Sequence, residues 1–520
     1  MQRYNILWAD DEIDLLKPHI LFLNQRGYDI EPVNNGMEAV ELCNSRAFDV
    51  VFLDENMPGM SGLEALTEIK NNKPAMPVVM ITKNEAEKIM EEAIGSKIDD
   101  YLIKPLNPNQ ILLSLKKLLE NKRLIIEKNN HNYQQEFRKI SLAFMDHMSH
   151  QEWAQTYRKL VYWELQLGHA ENADMAEVLQ TQKTEANTNF CQYVKKNYED
   201  WLNNPNADRP VLSHQLLRKK VFPELKPEVP VFFILIDNMR WDQWRVIEPL
   251  VSELFDVEQE DTYYAILPTV TAYARNAIFA GMLPSEIARI YPDLWVGEDE
   301  DESKNNYEED LLGRQIKKYN LNTKFSYHKI LRQEQGHNLA AAIPNLFSNG
   351  FNAIVYNFVD MLSHARTDVE MVRELAPDEA AYRSLTKSWF EHSPLYEILQ
   401  RIAERKAKVI ITTDHGTIQV KRPFKIIGDR NVNTNLRYKQ GKNLSFEGDG
   451  KVMVVTRPER IFLPKTNVTT TYVFATGDQF FAYPNNYNHY VNYFRDTFQH
   501  GGISLEEMII PLISLSSKNE

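Results

Sequence analysis

What this chain has little of narrows it first. It holds two cysteines in 520 residues. Cys43 and Cys191 lie far apart and outside any C-x-x-C pairing, which excludes a disulfide framework and fits a reducing compartment. No stretch approaches the roughly 20 apolar residues that a membrane-spanning helix needs, so no membrane insertion is expected. The opening MQRYNILWADDE passes from a short apolar run straight into three acids, the wrong order for a secretory signal. A cytoplasmic location is therefore expected, and the Asn467-Val468-Thr469 sequon carries no meaning there. Positive charge is short as well. The 59 Lys and Arg face 72 Asp and Glu, a net −13, which repels polyphosphate backbones unless a local basic patch overrides it. The Arg218-Lys219-Lys220 tripeptide is too short to do so, and GDGK at 448 lacks the spacing and the Ser/Thr of a phosphate-binding loop.

What is present is a soluble globular composition, 43% hydrophobic and 25% charged, in a chain long enough for two to four cores. Residues 1 to about 120 alternate apolar runs (NILWAD, DVVFLD, MPVVMIT, DDYLIKP) with amphipathic stretches, a βα pattern that predicts a doubly wound parallel sheet. From Asn107 apolar residues recur at helical spacing with almost no Gly or Pro until Pro205, predicting an all-α bundle of four or five helices, bounded as a linker at 121–220. FPELKPEVP, with three prolines, predicts a linker. Residues 221–520 return to α/β texture with strands at VFFILID, NAIVYNFVD and AKVIITTDH. The acidic run GEDEDESKNNYEED near residue 300 is expected to be a mobile, solvated loop. The chain is thus an α/β multidomain protein with a helical middle.

Five side chains end successive predicted strands of the first region. Asp10 and Asp11 end the first, Asp54 the third, Thr82 the fourth, and Lys104 the fifth, before Pro105. In a doubly wound sheet the strand carboxyl ends converge on one rim, so these groups share a pocket. Three crowded carboxylates invite a hard cation such as Mg²⁺. One can then attack a phosphoryl group to form an acyl phosphate, with Lys104 as fixed counter-charge and Thr82 as hydroxyl donor. The motifs ADD, LDENMPGMSG, MIT and KP resemble those of CheY-type receivers. That resemblance implies phosphorylation on Asp54, Mg²⁺ held by Asp10, Asp11, Asp54 and the carbonyl of Asn56, and Tyr101 at the rotameric switch position.

The last region carries Asp237 at the end of VFFILID, Thr271 in LPTVTAYAR, Asp360 and His364 as D-x-x-x-H, Asp414 and His415 after KVIITT, and His500 in QHGG. Three carboxylates, three imidazoles and a hydroxyl suit a pair of borderline divalent ions, Zn²⁺ first and Mn²⁺ second. Two such ions can clamp a displacement at phosphorus and activate a threonine without a separate base. The ordered set, with P-T-x-T, T-D-H-G and H-G-G-x-S-x-x-E, resembles the PglZ branch of the alkaline phosphatase superfamily over about residues 229–515. It implies an alkaline-phosphatase-like α/β domain with Thr271 as nucleophile. Asp237, Thr271, Asp414 and His415 would surround one ion, and Asp360, His364 and His500 the other. Arg275, Asn276 and Arg366 are candidates by residue type for the phosphate's free oxygens.

Receiver (1–120), helical middle (121–220) and PglZ domain (221–520) together resemble the PorX-type response regulators of type IX secretion. The resemblance implies a sensor histidine kinase as phosphodonor, a homodimer on phosphorylation, an extracytoplasmic sigma factor as partner, and nucleotide or oligonucleotide phosphodiesters as substrates. Two further classes compete with a phosphorylation-gated phosphodiesterase. One is a metal-containing platform for a sigma factor or secretion component. The other, a direct DNA-binding regulator, has least support, because no helix-turn-helix with a basic face follows the receiver.

Overall fold

The computed structural model describes residues 3–83, 98–168, 173–296, 304–357, 359, 376, 378–428, 433–442, 444–446, 451–465 and 467–518, with 120–127 and 173 described for the backbone alone. Two compact units result, Met1–Tyr133 and Gln134–Glu520.

In the first unit the apolar runs become β1 (Tyr4–Ala9), β2 (Tyr28–Val33), β3 (Val50–Asp54), β4 (Val78–Thr82) and β5 (Asp100–Ile103). They form one parallel sheet in the order β2-β1-β3-β4-β5. All five residues of β3 and of β4 are buried, as expected of strands covered on both faces. Helices α1 (Lys17–Asn24), α2 (Gly36–Ser45) and α3 (Gly62–Asn72) flank them. Gly62 opens α3 because a Cβ there would meet the Asp54 carbonyl oxygen at 2.2 Å.

The helical stretch holds three long helices, α4 (Pro108–Ala143), α5 (His150–Leu167) and α6 (Ala173–Asn203), rather than the four or five expected. The runs ILLSLKKLLENKRLIIE and FRKISLAF lie on one helix of 36 residues, with no Gly or Pro to break it. Helices α5 and α6 are built into the second unit. Tyr264 Oη donates to the His150 carbonyl at 2.7 Å, the Leu267 N–H donates to Tyr198 Oη at 2.8 Å, and Trp201 packs edge-on against Tyr264.

The proline segment 222–230 does not separate two units, since both its flanks lie in the second one. Phe222 at its start is buried beside Phe233 and Phe351, while Pro223, Lys226, Pro227 and Glu228 are exposed. The second unit's main sheet runs β7-β19-β10-β6-β9-β8, from β6 (Val231–Ile236), β7 (Phe255–Tyr264), β8 (Phe325–Ile330), β9 (Phe351–Tyr356), β10 (Lys408–Thr412) and β19 (Ile509–Ser517). Strands β8, β9, β6 and β10 are parallel, and β19 and β7 are antiparallel additions. Helices α7 (Trp241–Leu254) and α8 (Thr271–Ala280) follow β6 and β7. Between β10 and β19 the chain leaves the sheet to build a lobe of short strands: β11 (Ile418–Gln419), β12 (Arg422–Ile427), β13 (Tyr438–Gly441), β14 (Ser445–Phe446), β15 (Met453–Val455), β16 (Thr471–Phe474), β17 (Gln479–Ala482) and β18 (Phe498–Gln499).

Candidate functional site

Strands β6 and β10 are neighbours in the sheet, so the residues after their carboxyl ends, Asp237 and Asp414-His415, meet at one rim. Oxygen or nitrogen atoms of all three lie within 4.8 Å of one another. His415 Nε2 is 3.7 Å from Asp414 Oδ2 and 4.0 Å from Asp237 Oδ1. Thr271, the first residue of α8, points its Oγ1 at this group, 3.1 Å from His415 Nε2 and 3.4 Å from Asp237 Oδ1. His500 joins by stacking its ring on His415, centroids 4.3 Å apart and 18° between planes. Five of the seven expected ligands thus converge. Asp360 and His364, like Arg366, lie outside the described residues.

The imidazoles are oriented by backbone. His415 Nδ1 faces the Gly416 carbonyl at 3.1 Å and His500 Nδ1 the Thr269 carbonyl at 3.2 Å. A carbonyl only accepts, so in the neutral rings each Nδ1 carries the proton and each Nε2 keeps its lone pair for a metal. Gly416 is required because a Cβ there would meet the Glu506 carbonyl oxygen at 2.0 Å. The His500 turn is held by residues that the sequence reading passed over. Thr269 Oγ1 donates to the Gly502 carbonyl and accepts from the Gly501 N–H. Glu507, the last residue of H-G-G-x-S-x-x-E, accepts from the Gly502 N–H at 2.9 Å and forms a buried pair with Arg437 at 2.5 Å.

Two of the residues considered for the phosphate oxygens are committed elsewhere. Arg275, fully buried, pairs with Asp237 Oδ2 at 2.7 Å and Glu308 Oε1 at 2.5 Å. The Asn276 amide donates to the carbonyls of Ala272 and Lys304. Both face inward because they sit one turn into α8, whose N-terminal end alone is open. That end offers the positive pole of the helix beside Thr271, a suitable place for a phosphoryl group. Glu308 corrects a second expectation. The later part of the acidic run is no solvated loop, since Asn305 and Glu308 are buried and Glu308 binds Arg275 and Tyr327.

Among the described residues the site is short of positive charge: Asp414 Oδ2 is buried with no hydrogen-bond partner there, and burial, followed by repulsion from Asp237, pushes the Asp414 carboxyl up to about 7. A cation is what relieves both, so the donor set fits a divalent metal. A third acidic cluster does not fit one. Glu164, Asp242 and Glu379 lie close together, but Lys183, Arg240 and Arg383 already neutralise them at 2.6–3.4 Å. With Glu506 beside Lys183, this buried network ties α5 and α6 to the loops that carry Asp237 and His500.

In the first unit Asp10, Asp11 and Asp54 also converge. Lys104 Nζ is 2.7 Å from Asp54 and 2.9 Å from Asp10. Asp10 and Asp54 are buried and Asp11 is exposed. The Asn56 N–H donates to Asp54 at 3.3 Å. Thr82 Oγ1 donates to Glu55 at 2.5 Å, and Tyr101 on β5 is 40% exposed, so its ring is not packed in the core.

Comparison with known proteins matches each region. Residues 6–116 match the response regulator receiver domain, 123–202 the PorX response regulator linker domain, and 216–515 the BREX system PglZ alkaline phosphatase-like domain. The transcriptional regulatory protein ZraR of Klebsiella oxytoca is 36% identical over 123 residues, 24% of this chain and 28% of that protein. SrrA of Staphylococcus aureus is 32% identical over 114 residues, 22% of this chain and 47% of that protein. This chain therefore spans under half the length of these relatives. Among solved structures, the chemotaxis protein CheY4 of Vibrio cholerae is 27% identical, covering 22% of this chain and 98% of that one at a TM-score of 0.22. A two-component response regulator of Clostridium difficile is 29% identical, covering 23% and 97% at a TM-score of 0.22. No described helix is long and apolar enough to cross a membrane. The chain belongs to the PglZ alkaline phosphatase-like family, carried behind a receiver and a linker domain in the architecture of PorX-type response regulators.

Proposed function

We propose that the chain is a two-component response regulator whose phosphorylation on Asp54 controls a phosphodiesterase acting on nucleotide or oligonucleotide phosphodiesters, in the service of type IX secretion genes. The observation that carries the enzymatic part is Thr271 Oγ1, 3.1 Å from His415 Nε2 and 3.4 Å from Asp237, at the N-terminus of α8. A binding platform would need the ligands but not a hydroxyl aimed into them.

Asp237, Thr271, Asp414 and His415 would hold one divalent ion, with Asp360, His364 and His500 for a second. Zn²⁺ is the first choice and Mn²⁺ the alternative. When bound, the ions supply positive charge to the phosphoryl oxygens and lower the pKa of a coordinated hydroxyl. Thr271 Oγ1 attacks phosphorus, an O–P bond forms, and the bond to the leaving alcohol breaks as that alcohol takes up a proton. Water then cleaves the phosphothreonine and restores the hydroxyl. Arg275 holds Asp237 in place throughout, donating to its Oδ2 at 2.7 Å.

The test is a screen of cyclic and linear dinucleotides with Zn²⁺ or Mn²⁺, run on the parent and on Thr271→Ala. Turnover by the parent, a loss of about 10³-fold or more in the variant, and two ions per chain in both are expected. Retained turnover in Thr271→Ala would replace the threonine by a solvent nucleophile. A metal ratio near one in folded protein would remove the second ion.

A further inference from the structure

The charge of the chain is not spread evenly. Residues 416–499 carry twelve Lys and Arg against six Asp and Glu, net +6, which leaves 47 basic and 66 acidic residues, net −19, for the rest. This basic segment is the lobe between β10 and β19, and the residues just outside its two ends, His415 and His500, are both ligands of the candidate metal site. β11 and β18 pair at its root, Ile418 opposite Gln499, so the lobe is fixed to the site from both sides.

One face of the lobe joins an absence of acids to a run of rings. From Gln479 to Arg495 there is no Asp or Glu, and the helix Tyr487–Phe494 within it reads YNHYVNYF. Its buried side puts Val491 against Phe480 and Ala482 of β17. Its other residues build two ring stacks at i,i+4 spacing: Tyr490 on Phe494, centroids 6.2 Å apart and 10° between planes, and His489 on Tyr493, 6.4 Å and 23°. Tyr490 is 42% exposed and His489 is exposed too. A stack of parallel rings left open to solvent is extended by any further planar ring, and nucleobases supply one without regard to sequence. Lys425 of β12 is opposite Ala482 in the parallel ladder, so its side chain leaves the sheet on the same face as this helix. Lys425 and Arg495 are exposed and have no ion pair among the described residues. Five residues lie between Phe494 and His500, so at most about 20 Å of extended chain joins them.

We propose that this face of the lobe holds the substrate of the metal site, as a single-stranded oligonucleotide whose bases stack on Tyr490 and His489 and whose phosphates meet Lys425 and Arg495. The proposal rests on the phosphodiesterase reading for the substrate's class and adds the surface that recognises it. Arg437 and Lys439 are buried, Arg437 against Glu507 outside the segment, and the remaining basic excess draws a polyanion to the lobe while the acidic remainder repels it. The aromatic stacks select for bases over other polyanions.

The experiment uses the full chain in two arms. Binding of a fluorescent ten-nucleotide single strand is measured in the Thr271→Ala background, where cleavage does not interfere, for no further change, Tyr490→Ala and Lys425→Glu. Cleavage of bis(4-nitrophenyl) phosphate, too small to reach the lobe, is measured for the two lobe variants in the parent background. Tyr490→Ala should weaken oligonucleotide binding about ten-fold and leave an abasic strand of equal length unaffected. Lys425→Glu should weaken both strands and flatten the salt dependence by about one to two counter-ions. Neither should alter turnover of the small diester. Unchanged oligonucleotide affinity in both variants overturns the surface, as does equal affinity of the parent for abasic and intact strands. Binding of an acidic peptide in place of the oligonucleotide overturns it in favour of a protein partner. If the parent cleaves no small diester yet the variants lose oligonucleotide binding, the surface stands and the phosphodiesterase reading falls.

Discussion

The molecule contains two carboxylate clusters at sheet rims, and they are balanced differently. In the receiver, Lys104 reaches both Asp54 and Asp10. Burial acts to lower the Lys104 pKa, but the hydrogen bonds and charges of Asp54 and Asp10 outweigh it and leave the ammonium raised. That site carries its own cation, Lys104, on both buried carboxylates. In the PglZ domain, Arg275 is shared between Asp237 and Glu308, which leaves Asp414 to be neutralised by something else. A cluster whose cation reaches both buried carboxylates is suited to a transient event, and one whose cation pairs with Asp237 but not with Asp414 to a resident ion.

The largest expected effect that tests this difference is on stability. Arg275→Gln leaves Asp237 buried without its cation and Glu308 with Lys329 alone at 3.6 Å, and should cost about 3–5 kcal/mol, measured by denaturant unfolding of the second unit's transition. Lys104→Gln, at a site open on one side to water and able to take Mg²⁺, should cost the first unit about 1–2 kcal/mol or less, and should tighten Mg²⁺ binding by removing its competitor. Equal losses at both positions would abolish the distinction.

Chelation gives the next effect. The Asp414 carboxyl is raised by burial and by Asp237 to about 7 in the folded chain, against about 3.9 unfolded. Between these values the folded state holds the extra proton, so metal-stripped protein should lose stability as pH rises from about 4 to about 7, by no more than about 4 kcal/mol. Zn²⁺ should remove the slope, because the ion replaces the proton. Thermal melts at pH 5 and pH 7.5, with and without Zn²⁺, measure it. A stripped protein more stable at pH 7.5 would contradict the assignment of Asp414 as the under-neutralised ligand.

How much of this contrast was legible in the sequence follows from chemistry. Asp10, Asp54, Thr82 and Lys104, like Asp237, Asp414 and His415, stand at the ends of apolar runs, and the sheet brings strand ends together by construction. Residues that act through those ligands gave no such signal. Arg275 lies inside an apolar helix, Glu308 inside a run that looks solvated, and Arg437 far from Glu507 in the chain, so only the folded contacts reveal them. The proline-rich segment misled because the chain just before it, Leu216, Leu217 and Val221, already belongs to the second unit's core, which the local pattern does not announce. The basic lobe was hidden by averaging, since its +6 disappears in a total of −13.

Modification of Asp54 should change association more than chemistry. A receiver touches no substrate, so its signal must pass as geometry or assembly, and added charge of about −1.5 to −2 is enough to redraw the β4–β5 face around Thr82 and Tyr101. With Mg²⁺ and beryllofluoride the mass by light scattering should double, and Asp54→Ala should stay monomeric. Unchanged mass at demonstrated occupancy of Asp54 would leave an intramolecular release as the switch.

The smallest expected effect concerns what that switch must first break. In the resting receiver the Thr82 hydroxyl donates to Glu55 at 2.5 Å, and a hydroxyl held by the carboxylate next to the phosphoacceptor is not free to donate to phosphoryl oxygens. A hydrogen bond to a charged group contributes about 1.5–3 kcal/mol, part of which is recovered when Thr82 bonds the phosphoryl group instead. Glu55→Leu removes the competitor, leaves Asp54 and Lys104 in place, and should lower the beryllofluoride concentration for half-maximal dimerisation about three- to ten-fold. The double variant Glu55→Leu, Thr82→Ala should lose that gain, since the effect passes through the Thr82 hydroxyl. An equal gain with and without Thr82 would assign the role of Glu55 to its negative charge beside Asp54 rather than to the hydrogen bond.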